Sequence, residues 1–394
     1  MFFFAILGLM VLGDFAWWYA AHRRLPRTWM RVLAGAFAAA QFLGLASIFI
    51  SRAEMLQIEA LMPRWAFSMV LIWHILMLLP WMLWQLGRGI AWGIRQMRET
   101  PEVLVPRDEP SGEMSRRQFF GAAAAFTPPL LTLGGAALGE TQLDEFRVRR
   151  MDVDIPDLPA PLEGLTIAHV TDVHVGRFTQ GRVLELIVEE TNKLDADIVA
   201  LTGDLINDSL RALPAALDMV RGMRARHMVV TCEGNHDLID NPAVFYRESA
   251  RGGLPLLRGD TARVTIRGQK VQVLGLPWTR RSGEPGAAMD ALLQKREDDA
   301  WPLLLAHHPH AWDLAAGVPL TLAGHTHGGQ LMLNEDTGFG PWMFRYWSGM
   351  YRRGADRLVV SNGTGNWFPV RFEAPAEILH LTLRRATSNP GAAI

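Results

Sequence analysis

The sequence predicts an α/β layered domain of about 245 residues preceded by an apolar, helical membrane region. The first third of the chain holds uncharged runs long enough to span a bilayer, which takes roughly 20 residues. From about residue 145, short β-rich runs alternate with amphipathic stretches, as in sheets flanked by helices. Eight of the fourteen Trp lie within residues 1–92, whereas ten of the twelve His follow residue 160. These observations divide the chain into a membrane region (1–140), an α/β domain (145–385) and a tail (386–394).

The amino-acid composition of the chain argues against several classes of protein. The 394 residues carry 39 Lys and Arg against 40 Asp and Glu, so the formal net charge is −1. This balance lacks the basic footprint of a nucleic-acid-binding protein. The single cysteine, Cys232, excludes an internal disulfide framework and a cysteine-based zinc cluster.

Four apolar stretches are candidate transmembrane helices: residues 1–21, 32–50, 65–87 and 119–138. Trp residues cluster near the ends of the first three, as interfacial aromatic side chains do. The alternative for these three is a buried helical bundle in a soluble protein. Asp14 and His74 are ionisable residues inside the spans, to which the sequence assigns no role.

The fourth stretch follows Ser115-Arg116-Arg117-Gln118-Phe119-Phe120, which resembles a twin-arginine export signal. Such signals normally stand at the N-terminus, so an ordinary stop-transfer flank is an equal alternative. The stretch is therefore either a retained span or a signal cleaved after crossing. Residues 99–115 read as a flexible connector.

The distribution of arginine predicts the orientation. The loops after the first and third spans carry four and six arginines, whereas the second loop carries two. Loops rich in Lys and Arg stay in the cytoplasm. The loops after the first and third spans are therefore predicted to be cytoplasmic, and everything after residue 140 is predicted to lie outside the cytoplasmic membrane.

The second region is predicted from nine β-rich runs and two helices. The helices are Arg182–Lys193 and Leu213–Arg226, each with one apolar face. The runs are Leu165–Val170, Ile198–Leu201, Met228–Thr231, Arg263–Ile266, Val271–Leu274, Leu303–Leu305, Leu320–Leu322, Leu358–Val360 and Ile378–Leu383.

Polar motifs follow five of these runs directly. They are Thr171-Asp172-Val173-His174, Gly203-Asp204, Gly234-Asn235-His236-Asp237, Ala306-His307-His308 and Gly324-His325-Thr326-His327-Gly328-Gly329-Gln330. Ligand sites of layered α/β folds collect at the carboxyl ends of strands. Imidazole and carboxylate ligands suit Zn, Fe or Mn, and seven candidate ligands fit two ions sharing one carboxylate. Motifs for a serine nucleophile or a nucleotide-binding loop are absent from the sequence.

These motifs, in this order, resemble the calcineurin-like metallophosphoesterase superfamily. The Gly-His-Thr-His-Gly-Gly-Gln ending, with Val360–Gly365 and Pro369–Phe372, is similar to its bacterial membrane-associated phosphodiesterase branch. The resemblance covers residues 146–385. It implies a four-layer αββα sandwich and two divalent metal ions, Mn, Fe or Zn.

Residue by residue, the resemblance implies that Asp172, His174 and His327 hold the first ion. Asn235, His307 and His325 would hold the second, and Asp204 would bridge them. A metal-bound hydroxide would attack phosphorus, and His236 would stabilise the transition state or protonate the leaving oxygen.

One position departs from the family pattern. The Asp that pairs with the catalytic His in phosphatase members is Asn207 here, and an amide cannot supply the anion that raises a histidine pKa. Asp208 or Asp237 could supply the missing anion. A substrate with a good leaving group would need less protonation by a general acid. Two further hypotheses concern Arg371, as a phosphate contact or a structural pair, and the aromatic segment 338–352. Its Trp342, Phe344, Trp347 and Met350 form either an apolar lip beside the site or a buried loop.

The leading functional interpretation is a membrane-anchored two-metal phosphoesterase outside the cytoplasmic membrane. Its substrates would be phosphodiesters or pyrophosphates of lipids or envelope precursors. The alternatives are a cytoplasm-facing hydrolase of a nucleotide-linked acylated sugar and a non-catalytic scaffold on the same fold. The oligomeric state, the substrate and the metal identity stay open.

Overall fold

A computed structural model describes residues 2–52, 62–96, 114–143, 145–279, 284–334, 337–338 and 340–386. The predicted connector lies largely outside these residues, and so does the predicted tail after residue 386. By its internal contacts the chain forms two compact units, Met1–Thr141 and Gln142–Ile394.

The first unit is helical. Its elements are α1 (Phe2–Arg24), α2 (Thr28–Arg52), α3 (Arg64–Leu71), a π-helical segment (Ile72–Leu78), α4 (Leu79–Gln96) and α5 (Arg116–Leu143). The π-helical segment joins α3 and α4 into one apolar helix of 33 residues. Pro80 stands directly behind it, and a proline cannot donate to the carbonyl four residues earlier. Widened turns of this kind accommodate such a lost hydrogen bond.

Three helices of the described residues are long and apolar enough to cross a membrane: Thr28–Ile50, Arg64–Gln96 and Arg116–Leu143. They contain the predicted spans 32–50, 65–87 and 119–138. The predicted span 1–21 is helical but is not among the three. Pro128 and Pro129 lie inside α5 without ending it.

Aromatic side chains pack the interior of the helical unit. The ring of Trp73 is fully buried and lies 4.8 Å from the ring centroids of both Trp17 and Phe37. Large apolar side chains such as Leu12, Phe120 and Leu130 are more than 60% exposed. Contiguous exposed apolar surface would be a liability in water, and it fits a surface that faces lipid.

The second unit is built on two main sheets. In the first, the strand order is β1 (Phe146–Pro156), β13 (Ala376–Ala386), β2 (Thr166–Val170), β3 (Ile198–Thr202) and β4 (Met228–Cys232). In the second, it is β11 (Gly349–Arg353), β12 (Asp356–Val360), β8 (Leu320–Ala323), β7 (Ala300–Leu305), β6 (Gln269–Gly275) and β5 (Asp260–Ile266). Strands β2, β3 and β4 are parallel, as are β6, β7, β8 and β12. A short pair, β9 (Met332–Asn334) and β10 (Thr337–Gly338), stands apart.

Alternating side chains of each strand serve two cores. Ile167 and Val230 of one sheet meet Val273 and Leu303 of the other in the central core. The outer face of the first sheet packs on α6 (Arg182–Lys193), α7 (Leu213–Gly222) and α8 (Pro242–Arg251). The outer face of the second packs on α9 (Glu284–Leu293) and the 3-10 helix Pro309–Leu314. The predicted fold class, two sheets covered by helices on both sides, is confirmed.

Strand β1 is the main element that the sequence did not predict. It pairs in parallel with β13 over eleven residues at the edge of the first sheet. Charged residues interrupt β1, so it lacks the apolar run that predicted the other strands. α6 matches its predicted bounds, and α7 ends at Gly222 rather than at Arg226.

Candidate metal centre

The parallel strands of the two sheets deliver the polar motifs to one edge. Asp172 and His174 follow β2, Asp204 follows β3, and Asn235 and His236 follow β4. His307 follows β7, and His325 and His327 follow β8. The backbone N–H of His325 donates to both carboxylate oxygens of Asp172, at 3.0 Å each, which ties the loops of the two sheets together.

The loops hold these side chains in an uncommon backbone conformation. Of the ten described non-glycine residues with positive φ, five are candidate ligands: Asp172, His174, Asp204, His325 and His327. Such a conformation carries a cost for residues with a Cβ and tends to persist at functional sites.

Two glycines leave room for the carboxylates. A Cβ at Gly234 would lie 2.2 Å from Oδ1 of Asp204, and one at Gly324 would lie 2.0 Å from Oδ2 of Asp172. Any other residue at either position would displace a candidate ligand. These contacts explain why glycine precedes the Asn-His and His-Thr-His motifs.

The first group of donor atoms comprises Asp172, His174 and His327, all buried. Nε2 of His174 lies 2.9 Å from Nε2 of His327, which lies 3.2 Å from Oδ1 of Asp172. Ligand atoms bound about 2.1 Å from one ion are about 3 Å apart when their bonds are perpendicular. The spacing therefore fits a shared cation.

The second group comprises Asp204, His307 and His325, with Asn235 beside them. Nε2 of His307 lies 3.1 Å from each of three atoms: Oδ1 of Asn235, Nδ1 of His325 and Oδ2 of Asp204. The Nδ1–H of His307 donates to the carbonyl of Thr202 at 2.8 Å. Because a carbonyl only accepts, this bond leaves Nε2 as the ligand atom.

Asp204, a member of the second group, also lies close to the first. Its Oδ2, 3.1 Å from Nε2 of His307, also lies 3.5 Å from Nε2 of His174. The structure thus brings all seven predicted ligand residues together, with one carboxylate oxygen between the two groups. Nitrogen and oxygen donors in this arrangement fit a pair of divalent ions.

The protonation states also favour a cation. Burial alone would raise the pKa of Asp172, but His327 and its neighbours hold it well below its usual range. Burial likewise opposes ionisation of Asp204, yet His307 and His174 hold its pKa low. Burial, helped by the nearby His307, lowers the pKa of His325 to about 3. Ionised carboxylates and a neutral imidazole are the forms that bind metals.

The pKa of His307 shifts in the opposite direction from that of His325. Burial lowers a histidine pKa, but the ionised Asp204 at 3.1 Å outweighs it and raises the pKa of His307 to about 9.

The predicted catalytic residue, His236, lies beside both groups. One of its ring nitrogens is within 4.8 Å of the donor atoms of His174 and Asp204. Its Nδ1 donates to the backbone carbonyl of Asn207, and its backbone N–H donates to Oδ1 of Asp204 at 2.8 Å.

Asp237, one of the two predicted carboxylate substitutes, bonds to backbone groups. It accepts from the backbone N–H groups of Gly234, Leu205 and Ile206 at 2.8–3.1 Å. It fixes the loop after β3 against the loop after β4. The Asn207 carbonyl, a dipole rather than an anion, is the partner of the His236 ring.

Arg371 is structural, so its prediction as a phosphate contact is wrong. The side chain is fully buried, and burial lowers its pKa to about 10. Its guanidinium donates to Oδ1 of Asn366 and to the carbonyls of Asn362, Gly365 and Ala374. It holds the loop behind His327, where Gly363 leaves room for the imidazole.

Within the aromatic segment 338–352, Tyr346 and Trp347 are buried, whereas Met343 is 74% exposed. Trp347 packs with Met332 and Ala374, and Met350 packs against the central core, so the apolar lip is wrong for these two. Phe344 does reach the site, with its ring 5.8 Å from that of His325. The side chain of Trp342 lies outside the described residues.

Sequence reasoning missed two tryptophans that flank the centre. The Trp278 ring lies 5.5 Å from that of His325 and 5.7 Å from that of His307. Trp367, 45% exposed, lies 6.4 Å from His236 and 6.2 Å from His327. The Leu-Pro-Trp sequence directly after β6 was the available signal for Trp278.

Comparison with known proteins places this centre within a family domain. Residues 165–329 match the family model of calcineurin-like phosphoesterases. A Bacillus subtilis protein named "Uncharacterized metallophosphoesterase YkuE" is 28% identical over 69% of this chain and 98% of its own. A Danio rerio "Transmembrane protein with metallophosphoesterase domain" is 30% identical over 60% of this chain. An Escherichia coli "Phosphodiesterase YaeI" is 24% identical over 68% of this chain and 99% of its own.

The extent of the match differs among relatives. The chain spans 57% of the Danio rerio protein and 60% of two other curated relatives. Transmembrane-named relatives and the three apolar helices together indicate a membrane protein.

Proposed function

The chain carries a calcineurin-like phosphoesterase domain at residues 165–329, and from this premise we propose that it is a membrane-anchored, two-metal phosphodiesterase. The observation that carries the proposal is the position of Asp204, whose Oδ2 lies between two groups of ligand atoms. The proposed substrates are phosphodiesters or pyrophosphates of lipids or envelope precursors.

Seven residues are proposed to hold the two ions, which are Mn, Fe or Zn. Asp172, His174 and His327 would hold one ion, Asn235, His307 and His325 would hold the other, and Asp204 would serve both. When bound, such a pair lowers the pKa of a water molecule and offsets the negative charge of the phosphate. The protein contributes ionised carboxylates, imidazoles fixed by hydrogen bonds, and a buried surrounding that strengthens these interactions.

In this proposal His236 is the general acid that protonates the leaving group. Its Nδ1 proton is committed to the carbonyl of Asn207, so Nε2 is the atom that faces substrate. When protonated, Nε2 donates to the departing oxygen. A carbonyl dipole stabilises an imidazolium less than a carboxylate does, so the enzyme favours leaving groups that depart as stable anions.

Two features support a diester rather than a monoester. Trp278 flanks the His307 side of the centre and Trp367 flanks the His236 side. A phosphodiester has an organic group on each side of the phosphorus, and both can contact an aromatic ring. The name of the Escherichia coli relative agrees with this assignment.

The site is proposed to lie outside the bacterial cytoplasmic membrane, on a multi-pass anchor. The support is the arginine asymmetry of the loops in the sequence. A covalent anchor keeps the catalytic domain close to lipid-linked substrates.

Turnover of a substrate panel tests the proposal. Detergent-purified full-length protein is assayed with Mn²⁺, Fe²⁺ or Zn²⁺ on bis-p-nitrophenyl phosphate and on p-nitrophenyl phosphate. We expect faster hydrolysis of the diester. Asp204→Asn should reduce kcat by about 1000-fold or more, because a two-metal centre supplies several kcal/mol and each 1.4 kcal/mol is tenfold.

The control is Asp218→Asn, an exposed carboxylate on α7, which should leave turnover unchanged. An Asp204→Asn protein with wild-type activity would overturn the bridging assignment.

A further inference from the structure

An apolar cavity adjoins the proposed metal centre on the His307 side. Its volume is about 530 Å³, within the usual range of small-molecule sites. Its apolar lining comes from Leu276, Pro277, Trp278, Pro285, Ala311 and Leu314. The predicted ligand His307 and its neighbour His308 are part of the same wall, so the cavity is continuous with the catalytic site.

The charged residues of the described lining are acidic. Glu233 and Asp313 are its acidic residues, and no Lys or Arg is among the described residues that line it. Glu233 is 1% exposed; its Oε1 accepts from the backbone N–H of Trp278 at 2.9 Å, and its Oε2 lies 3.9 Å from Nε of Arg258. A second phosphate or a carboxylate would find no cation among these described lining residues, whereas a hydrocarbon group would bury apolar surface.

The position of the cavity distinguishes the two ester groups of a diester. His236, the proposed proton donor, stands beside His174 and Trp367 and does not line the cavity. The leaving group therefore departs on the Trp367 side. The group that stays on phosphorus is directed to the opposite side, where Trp278 faces His307 and His325.

On the basis of the proposed function, we propose that this cavity binds the apolar alkyl group that remains on the phosphate. The preferred substrates are then alkyl or lipid phosphodiesters. In the reaction a water oxygen bonds to phosphorus and the bond from phosphorus to the leaving oxygen breaks. One proton of the water ends on the leaving oxide or in solvent. The product is an alkyl phosphate.

A homologous series of diesters tests the inference. Methyl, butyl and hexyl p-nitrophenyl phosphates share one leaving group, so only the retained group varies. Each methylene buried in the cavity should raise kcat/KM about fourfold. The wild-type protein should therefore hydrolyse the butyl ester at least tenfold more efficiently than the methyl ester.

Two variants locate the effect. Thr279 is half-buried in the cavity wall, and Thr279→Trp should fill the cavity. Leu314 is 44% exposed at the rim, and Leu314→Glu places a charge there. Both should flatten the dependence of kcat/KM on chain length. Leu333→Glu, at an exposed leucine outside the cavity, is the matched control and should keep the wild-type dependence.

Hydrogen exchange supplies a readout that does not depend on turnover. Dihexyl phosphate, but not dimethyl phosphate, should slow amide exchange in the peptide that covers Pro309–Leu314. Thr279→Trp should abolish this protection.

The outcomes separate the two proposals. Suppose that every ester is hydrolysed but chain length has no effect on kcat/KM, or that both cavity variants keep the wild-type dependence on chain length. Either result overturns the cavity assignment and leaves the proposed phosphodiesterase activity intact. If no ester is hydrolysed with any metal, the proposed function fails and the cavity assignment fails with it.

Discussion

At the scale of single residues, the contact between His236 and Asn207 sets the leaving-group chemistry. The ring of His236 donates to the backbone carbonyl of Asn207, whereas Oδ1 of the Asn207 side chain is buried without a partner. The amide side chain thus contributes little to the contact, and the main-chain carbonyl orients the imidazole.

Substitution of Asn207 tests this division of roles. Asn207→Asp places a carboxylate near His236 and should speed hydrolysis of dialkyl phosphates about tenfold relative to p-nitrophenyl diesters, because an adjacent anion favours the protonated imidazole. Asn207→Ala keeps the carbonyl and should behave like the wild type. The measurement is the ratio of kcat/KM for the two substrate types. An Ala variant as impaired as His236→Ala would contradict the assignment.

The residue scale also shows what the sequence could and could not predict. The seven candidate ligands were predictable because each follows an apolar β-run directly, and strand ends meet at one sheet edge. The role of Arg371 was not predictable, because the carbonyls it binds become neighbours only when the loop 362–366 folds back on it. The partner of His236 was missed because sequence motifs specify side chains and not main-chain acceptors.

At the scale of elements, a buried polar contact joins α1 to the π-helical segment. Oδ1 of Asp14 accepts from Nε1 of Trp73 at 2.6 Å, and Oδ2 lies 3.0 Å from Nε2 of His74. The Nδ1–H of His74 donates to the carbonyl of Val70 at 2.7 Å. Asp14 and His74, which received no role from the sequence, are therefore a pair between helices.

Loss of one partner should loosen the helical unit. Asp14→Ala leaves the buried Nε1–H of Trp73 without its acceptor, and an unsatisfied buried donor costs about 1–3 kcal/mol. We expect a lower melting temperature of the full-length protein in detergent. Ser47→Ala removes an exposed hydrogen bond within α2 and is the matched control. Equal melting temperatures for wild type and Asp14→Ala would show that the pair is not stabilising.

The helical elements also show why periodicity is an incomplete guide. The apolar run 65–87 predicted a span, but an ordinary helix and a π-helical turn have the same composition. The widened turn at Ile72–Leu78 became visible only in the structure, as did the continuity of α5 through Pro128 and Pro129.

At the scale of the whole molecule, the proposed orientation follows from the arginine-rich loops. A reporter fused after Ile394 and active only outside the cytoplasm should show activity, because the C-terminal domain is proposed to lie there. The same fusion with the first-loop arginines Arg23, Arg24, Arg27 and Arg31 replaced by Gln should lose part of that activity, since positive charge retains a loop in the cytoplasm. A reporter active only in the cytoplasm would reverse the orientation.

The central claim concerns the whole domain, because the seven ligands come from both sheets. Metal content per folded chain measures it most directly. After chelation and reconstitution with Mn²⁺, the account predicts two ions per wild-type chain and one ion in His325→Ala, which loses a ligand of the second group only. A folded wild-type protein that binds no ion, or a His325→Ala protein that still binds two as tightly as the wild type, would contradict it.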